Sequence, residues 1–191
     1  MGREDNKESP MKNTTPHKLV SAAFIEKTLA GALALAATES GLARLFFCSR
    51  KDYDTFTAAN HLSADAKPNE ILKEASRQVV EYFDGKRKEF DLPLDLNGQT
   101  PFRAKVLHAC AKIPLGKVLT YGALAAKAGS PKAARAAGGA MANNPIALII
   151  PCHRVVGSDK GLHGFSSPGG LKTKAILLRH EGVAIEHERV I

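Results

Sequence analysis

Residues 143–155 read NNPIALIIPCHRV. The five apolar residues 146–150 lie between two prolines, a pattern typical of a short, buried, extended segment. Such a segment predicts a fixed position for the two residues that follow it, Cys152 and His153. A thiol beside an imidazole is a minimal nucleophile–base pair, because the thiolate is the reactive form of cysteine and a base makes it available. Most adjacent Cys-His pairs are accidental, so the surrounding sequence has to decide.

Three helices are predicted upstream of this stretch. Thr100 and Pro101 form an N-cap followed by proline at the first helical position. Thr120 caps a short helix over residues 121–127, and a turn leads to a further helix over residues 132–142. Helices joined by a short turn at this spacing predict a helix-turn-helix.

The last of these helices is built from small residues around one long basic side chain, Arg135. Gly138 and Gly139 lie inside it, and glycine in a helix costs about 1 kcal/mol relative to alanine. We therefore expect a close approach to this helix, either by another helix or by a DNA backbone or groove. The small residues are Ala133, Ala134, Ala136, Ala137, Gly138, Gly139 and Ala140.

The N-terminal half predicts a small α/β unit. Residues 33–37 and 42–48 form a β-hairpin around a glycine-containing turn, and a helix follows between Asn69 and Gly85. Pro93 and Gly98 favour a boundary in the segment from Asp91 to Gln99. The predicted organisation is a disordered tail (1–18), an N-terminal α/β domain (19–96) and a mainly helical C-terminal domain (97–191).

Charge divides along the same boundary. Residues 1–96 hold 14 Lys/Arg and 15 Asp/Glu, net −1, whereas residues 97–191 hold 13 and 4, net +9. Asp159 is the only acidic residue between Asn97 and His180. A basic half of this kind predicts a polyanionic partner, most simply nucleic acid, although a solvated basic surface would have the same composition.

Composition excludes several classes. No apolar stretch approaches the roughly 20 residues of a membrane helix, and the polar start lacks the apolar core of a signal peptide. Cys48, Cys110 and Cys152 are widely spaced without a CxxC pair, which argues against a disulfide framework or a cysteine-rich zinc site. Cys110 is expected to be a core residue. We predict a soluble, cytoplasmic protein (nuclear in a eukaryote) without a bound metal.

Several motifs, in this order and spacing, resemble the O6-alkylguanine-DNA alkyltransferases. They are IPLGK (113–117), TYG (120–122), AARAAGGAM (133–141), NNP (143–145), IPCHRVV (150–156) and LLRHEG (177–182). The resemblance implies a ribonuclease H-like α/β N-terminal domain followed by a mainly α domain with a winged helix-turn-helix. It also implies DNA repair by irreversible, single-turnover transfer of an alkyl group from O6 of guanine in duplex DNA, with O4 of thymine an open second substrate.

Catalytic roles follow from the same resemblance. Cys152 would accept the alkyl group as a thioether, and His153 would act as its base through a bound water. Glu181 would orient the imidazole, in the nucleophile–base–orienter logic of a hydrolase triad. Asn144 would orient the pocket, and Tyr121 would move the neighbouring phosphate and protonate the leaving guanine at N3.

The resemblance also implies a DNA interface and an alkyl pocket. Arg135 would replace the flipped nucleotide in the base stack, and the other DNA-binding residues would be Tyr121, Lys132, Ala133, Ala134, Gly138 and Arg154. Small side chains would admit the helix to a narrow minor groove. The pocket would comprise Met141, Pro151, Val155, Phe165, Ser166 and Ser167. The implied partner is double-stranded DNA carrying O6-alkylguanine, bound by a monomer without a cofactor.

The chain departs from the family pattern in three respects. The loop 164–170 is about two residues longer than the common form, with Phe165 where tyrosine is usual, so the accepted alkyl groups are open. The chain has no tryptophan. It also lacks an N-terminal cysteine pair for the structural zinc of some relatives.

Three other functions compete with this interpretation. A damage-binding protein of the same fold would flip bases without catalysis, but there the cysteine is replaced. A cysteine hydrolase could use Cys152 with His108 or His163, yet would not explain the scarcity of acids or the small-residue helix. A transcription factor would place base-reading side chains along residues 132–142, where alanine and glycine dominate.

Overall fold

A computed structural model of the chain describes residues 18–63 and 67–191, so the predicted tail lies, apart from Lys18, outside the described residues. The N-terminal half is a three-stranded antiparallel sheet with two helices. The strands lie in chain order, with β2 in the centre. The elements are β1 (Ser21–Ile25), β2 (Leu33–Ala37), β3 (Leu42–Phe47), α1 (Arg50–Ala59) and α2 (Glu70–Phe83).

Strand β2 is fully buried because a helix covers each face of the sheet. Leu33 and Leu35 belong to the cluster that contains the apolar face of α2. Ala34 and Ala36, which point to the opposite face, pack with Tyr53 of α1. This explains why the strand reads as a continuous apolar run rather than an alternating one.

The predicted hairpin and the predicted helix after Asn69 are confirmed. Strands β2 and β3 pair across a turn that Thr38 and Gly41 close through a 3.0 Å backbone hydrogen bond. The Asn69 side chain caps α2 by accepting from the Leu72 amide. The structure adds β1 and α1, which the sequence patterns did not predict. Helix α1 begins at a capping box formed by Ser49 and Asp52.

The C-terminal half is mainly helical, as predicted, and α3, α4 and α5 form the predicted helix-turn-helix region. Thr100 and Thr120 cap α3 and α4 through their hydroxyls. The last helix of this region begins at Ala134, two residues later than the pattern predicted. The helices are α3 (Pro101–Ala111), α4 (Tyr121–Lys127), α5 (Ala134–Ala142) and α6 (Gly170–His180). The short strands β4 (Leu119–Thr120) and β5 (Val155–Val156) pair in parallel, and β6 (Ile185–Glu186) and β7 (Arg189–Val190) pair antiparallel.

The apolar run 146–150 is buried but not extended, which corrects the sequence prediction. Only Ile146 forms a bridge, to Leu45 at the free edge of β3. The chain then turns sharply, with Leu148 at a positive φ of 71°. The turn reverses the chain. The run that was predicted to be an extended segment therefore forms a compact, buried turn that leads to Cys152.

One hydrophobic core crosses the predicted domain boundary. The cluster that contains Leu35 and Val79 also contains Leu107 of α3 and Ile150. A backbone bond adds to this contact, because Pro145 accepts an amide hydrogen bond from Leu45 of β3. Within the N-terminal half, Pro93 accepts a second one from Leu42 of the same strand. The outer edge of the sheet is therefore covered, which protects it from pairing with other chains.

Gly41 is closely packed at the junction of the β2–β3 turn with the segment 93–95. A Cβ at Gly41 would lie 2.6 Å from the Pro93 carbonyl oxygen, whereas one at Gly139 would meet no atom within 4 Å. We predict that Gly41→Ala lowers the free energy of unfolding by about 1–3 kcal/mol through overpacking. Gly139→Ala, the matched control, should raise it by about 1 kcal/mol as a helix substitution. Urea unfolding measures both, and equal effects of the two substitutions would contradict this description of the junction.

Candidate active site

Cys152 lies at the start of a short 3-10 turn, Cys152–Arg154, at the wall of a small cavity. Cys152 is 8% exposed, and it lines this cavity of about 190 Å³. The other lining residues are Tyr121, Gly138, Met141, Ala142, Gly164, Phe165 and Ser166. The structure therefore brings three predicted pocket residues to the cysteine: Met141, Phe165 and Ser166.

The remaining predicted pocket residues lie outside this lining, and their role in the pocket stays a prediction. Pro151 is buried beneath the turn, and Val155 is fully buried where β5 pairs with Leu119. Ser167 follows the lining residues of the loop, with its hydroxyl oxygen buried.

His153 and Glu181, which were predicted to act as base and orienter, contact each other inside the protein. The imidazole Nε2 lies 2.8 Å from Glu181 Oε1, and both side chains are 0% exposed. A neutral imidazole that donates from Nε2 carries its free lone pair on Nδ1. That Nδ1 is buried and has no hydrogen-bond partner among the described residues. The ring is thus oriented by the carboxylate and keeps its basic nitrogen available.

Arg154 faces inward, which corrects its predicted role in DNA binding. Its Nε and one terminal nitrogen donate to the two oxygens of Glu181, each at 2.8 Å. The other terminal nitrogen donates to the Ile113 carbonyl. With 7% of its side chain exposed, Arg154 cannot reach a phosphate. It supplies the positive charge that keeps Glu181 ionised in the interior.

Burial sets the protonation states of this site. It raises the pKa of the Cys152 thiol, although a hydrogen bond from Asn144 and the charge of Lys174 oppose the rise. It lowers the pKa of His153, against the pull of Glu181. Burial alone would raise the pKa of Glu181, but hydrogen bonds from His153 and Arg154 outweigh it and hold that pKa far below its ordinary value. A neutral thiol, a neutral imidazole and a carboxylate therefore coexist at neutral pH.

Asn144 braces the turn that carries the cysteine. Its side-chain oxygen accepts from the Ile146 amide at 3.1 Å, and its nitrogen donates to the Ile150 carbonyl at 2.7 Å. The Asn144 side chain thus bonds the backbone at both ends of the buried turn 146–150 that leads to Cys152. This position agrees with the predicted orienting role, although that role itself stays a prediction.

Lys174 is a site residue that the sequence analysis missed. The side chain is 0% exposed, and its ammonium donates to the carbonyls of Val155, Leu162 and His163. These hydrogen bonds connect β5 to the residues that precede the loop 164–170. Burial lowers the pKa of Lys174 to about 8, which the nearby Cys152 partly opposes. A lysine on the apolar face of α6, between Leu171 and Leu178, was the available signal.

A surface groove of about 510 Å³ adjoins the cavity and contains the predicted DNA-binding residues Tyr121, Ala134, Arg135 and Gly138. Arg135 is exposed on α5, and the Tyr121 hydroxyl donates to the His163 carbonyl at 3.4 Å. Lys132 and Ala133 precede α5 on the same segment. A Cβ at Gly138 would make only ordinary contacts, and one at Gly139 would make none. Helix packing therefore does not explain the two glycines.

Neither alternative histidine lines the Cys152 cavity. His108 lines a separate basic cavity of about 730 Å³. The His163 ring is exposed and hydrogen-bonded to Asp159. Cys110 is fully buried in the core, as predicted. Cys152 is thus the cysteine with both an opening and an oriented histidine beside it.

Comparisons with known proteins agree with this geometry. Two family models match: "6-O-methylguanine DNA methyltransferase, ribonuclease-like domain" over residues 22–96 and its "DNA binding domain" over residues 101–183. The constitutive methylated-DNA–protein-cysteine methyltransferase of Bacillus subtilis is 39% identical over 164 residues, which cover 85% of this chain and 96% of that protein. The chain belongs to the O6-methylguanine DNA methyltransferase family.

Other members of the O6-methylguanine DNA methyltransferase family extend the match. The methylated-DNA–protein-cysteine methyltransferase of Methanosarcina barkeri is 43% identical over 152 residues, covering 79% of this chain and 90% of the relative. Mycobacterium tuberculosis O6-methylguanine methyltransferase superposes with a TM-score of 0.71 at 37% identity, over 84% of this chain and 92% of that one. The structure of Mycobacterium tuberculosis OGT in complex with DNA gives 0.72 at 38%, over 85% and 92%. The predicted fold of both halves is confirmed.

Two further observations concern residues 18–63 and 67–191. None of their helices combines the length and apolarity needed to cross a bilayer. Within the same ranges, no cluster of three or more His, Cys, Asp or Glu side chains could bind a metal ion.

The Glu181 network makes a pH-dependent prediction. Glu181→Gln leaves Arg154 without a counter-charge, so at pH 7 we expect a loss of about 3–5 kcal/mol in the free energy of unfolding. Because the folded-state pKa of Glu181 lies below its ordinary 4.5, its stabilisation is present above that pH and is lost as the pH falls below it. Urea unfolding should show the gap between wild type and variant narrowing in acid. Glu70→Gln, at an exposed ion pair with Lys73, is the control and should change little at any pH. A gap of constant size would contradict the network.

Proposed function

We propose that this protein repairs DNA by moving a methyl group from O6 of guanine in duplex DNA onto Cys152, once per molecule. The observation that carries the proposal is the pairing of a thiol at a cavity with an adjacent imidazole locked by a buried carboxylate. The names of the relatives support the same reaction. Residues 164–166 of the loop 164–170 form part of the cavity wall, so this loop limits the size of the alkyl group that the cavity admits.

The first step is activation of the thiol. The Cys152 proton passes to His153 Nδ1 through a bridging water, while Glu181 stabilises the imidazolium that forms. The raised pKa of Cys152 makes this base necessary, since a free thiol in this site is almost entirely protonated at neutral pH. The thiolate sulfur then attacks the methyl carbon.

The second step breaks the bond between the methyl carbon and guanine O6. Its electron pair stays with the base, which becomes guanine again by taking a proton at N3 from Tyr121. Burial raises the pKa of Tyr121, so the phenol keeps its proton until negative charge develops on the leaving base. The proton on His153 returns to Tyr121 through solvent. The thioether on Cys152 has no leaving group, so the protein is consumed.

Access to the cavity requires a flipped base, because the cysteine is buried and the target lies inside the duplex. Arg135 lines the groove beside the cavity, and in this proposal its side chain fills the gap in the stack. Ala134 and Gly138 add little side-chain volume to α5, so the helix can enter the narrow minor groove. The net charge of +9 in residues 97–191 supplies the phosphate attraction.

We also propose the partner, the oligomeric state, the location and the domain boundaries. The partner is double-stranded DNA carrying O6-alkylguanine, bound by a monomer in the cytoplasm, or in the nucleus of a eukaryote. Residues 19–96 and 97–191 form the two domains, packed on one shared core. Lys132 and Ala133 contact the DNA backbone next to α5.

Replacement of the nucleophile tests the reaction. We predict that the wild type removes close to one methyl group per protein from an excess of O6-methylguanine duplex, and that Cys152→Ser removes none while it binds the duplex with similar affinity. Cys110→Ser, at a buried core cysteine, is the matched control and should retain full stoichiometry. Removal of many equivalents per protein, or full activity of Cys152→Ser, would overturn the proposal.

Base flipping is tested by comparing two substrates. Arg135→Ala should slow repair of duplex DNA by about tenfold or more, because loss of the side chain that replaces the base leaves part of an unstacking cost of a few kcal/mol uncompensated. The free base O6-benzylguanine needs no flipping, so its reaction with Cys152 should be nearly unchanged. His153→Ala should impair both reactions. Equal losses for Arg135→Ala on the two substrates would show that Arg135 supports the pocket instead.

A further inference from the structure

Tyr82 brings a residue of the N-terminal half into the catalytic network. It lies in α2, 99 positions before Glu181, yet its hydroxyl donates to Glu181 Oε1 at 2.8 Å. The backbone carbonyl of the same residue accepts from His180 Nε2, also at 2.8 Å. Tyr82 is 1% exposed. One tyrosine thus binds both residues at the end of α6.

The hydroxyl and the catalytic imidazole share one oxygen atom. Glu181 Oε1 accepts from Tyr82, from His153 Nε2 and from Arg154, each at 2.8 Å. Donors to one oxygen compete for its negative charge, and in a desolvated site the competition is strong. Loss of the Tyr82 hydroxyl would leave more of that charge to His153 and would also free Oε1 to move.

Apolar packing does not require the hydroxyl. The Tyr82 ring contacts Phe83, Phe90 and His180, with ring centroids 5.0 to 5.5 Å apart. A phenylalanine would keep these contacts. The phenol also remains a donor at every working pH, because burial and the adjacent Glu181 carboxylate raise the pKa of Tyr82 far above its ordinary value.

We propose that Tyr82 is a positioning residue, whose hydroxyl fixes Glu181 and limits the strength of His153 as a base. The N-terminal domain then completes the catalytic centre instead of serving only as a support. This rests on the proposed role of His153 as the base that activates Cys152. Several charged and titratable groups surround Tyr82 and His153. They are Glu181, Arg154, Lys174 and Cys152, with His180 next to Tyr82.

The direction of the effect follows from the charge on Oε1. Only neutral His153 can accept the thiol proton, so the rate of Cys152 alkylation falls on the acid side as His153 becomes protonated. Tyr82→Phe strengthens the pull of Glu181 on the imidazolium and raises the pKa of His153. We expect the acid limb of the pH–rate profile to move to higher pH by about half a unit, since only part of the hydrogen bond between the hydroxyl and the carboxylate acts on His153.

The experiment measures single-turnover alkylation of Cys152 across the acid and neutral range with two reagents. Iodoacetamide reads the thiol and its base without DNA, and O6-methylguanine duplex reads the proposed reaction. Tyr53→Phe is the matched control, since Tyr53 is also buried in the N-terminal half but belongs to α1, on the other face of the sheet. Its profile should equal that of the wild type with both reagents.

A second variant keeps the hydroxyl, so that poor folding of Tyr82→Phe cannot hide the answer. 3-Fluorotyrosine at position 82 alone is a stronger hydrogen-bond donor and should move the acid limb downward. An unchanged limb in both Tyr82 variants, or a uniform loss of rate without a shift, would overturn the proposal. Failure of the wild type to react with the duplex would overturn the proposed function alone, because the iodoacetamide profiles would still report on Tyr82.

Discussion

The buried carboxylate of Glu181 is the constraint on which the rest of the site depends. It is fully enclosed and ionised, so its desolvation has to be offset by partners with good geometry. Arg154 supplies the charge through a two-point contact, and His153 and Tyr82 supply further donors. These partners come from separate parts of the chain, the 3-10 turn and α2, so a single ion joins both halves of the molecule.

The three consecutive residues of the Cys-His-Arg motif depend on one another in this arrangement. Cys152, His153 and Arg154 are consecutive, yet they face different surroundings because they occupy one 3-10 turn. The cysteine faces the cavity, whereas the histidine and arginine both meet Glu181. Ion pairing of Arg154 with Glu181 therefore helps to fix the carboxylate that orients His153. In the proposed mechanism, His153 in turn activates Cys152. The side-chain orientations in the 152–154 turn thus depend on Glu181, which is distant in the sequence.

Local patterns predicted much of the fold, and their failures have physical causes. Capping by Asn69, Thr100 and Thr120 is a short-range effect, so the starts of α2, α3 and α4 were readable from sequence. The apolar run 146–150 was read as a strand because burial alone does not distinguish a strand from a turn that packs in the core. Leu148 has a positive φ, and the Asn144 side chain bonds the backbone on both sides of it, at Ile146 and Ile150.

The site was predictable where residues are adjacent or belong to a recognised motif, as with Cys152 and His153. It was not predictable where the chain folds back over long separations. Arg154 was assigned to DNA because basic residues usually lie at the surface, and only the tertiary structure shows its buried counter-charge. Tyr82 and Lys174 were missed for the same reason, since no local pattern identifies the carboxylate or carbonyls that they meet.

Peptide mass spectrometry after reaction with an O6-methylguanine duplex tests the central claim most directly. The claim is that, of Cys48, Cys110 and Cys152, only Cys152 combines an open cavity with an oriented base. The account predicts one added methyl group on the peptide that carries Cys152 and none on the other two cysteines. An unmodified Cys152, or a methyl group on Cys48 or Cys110, would contradict it.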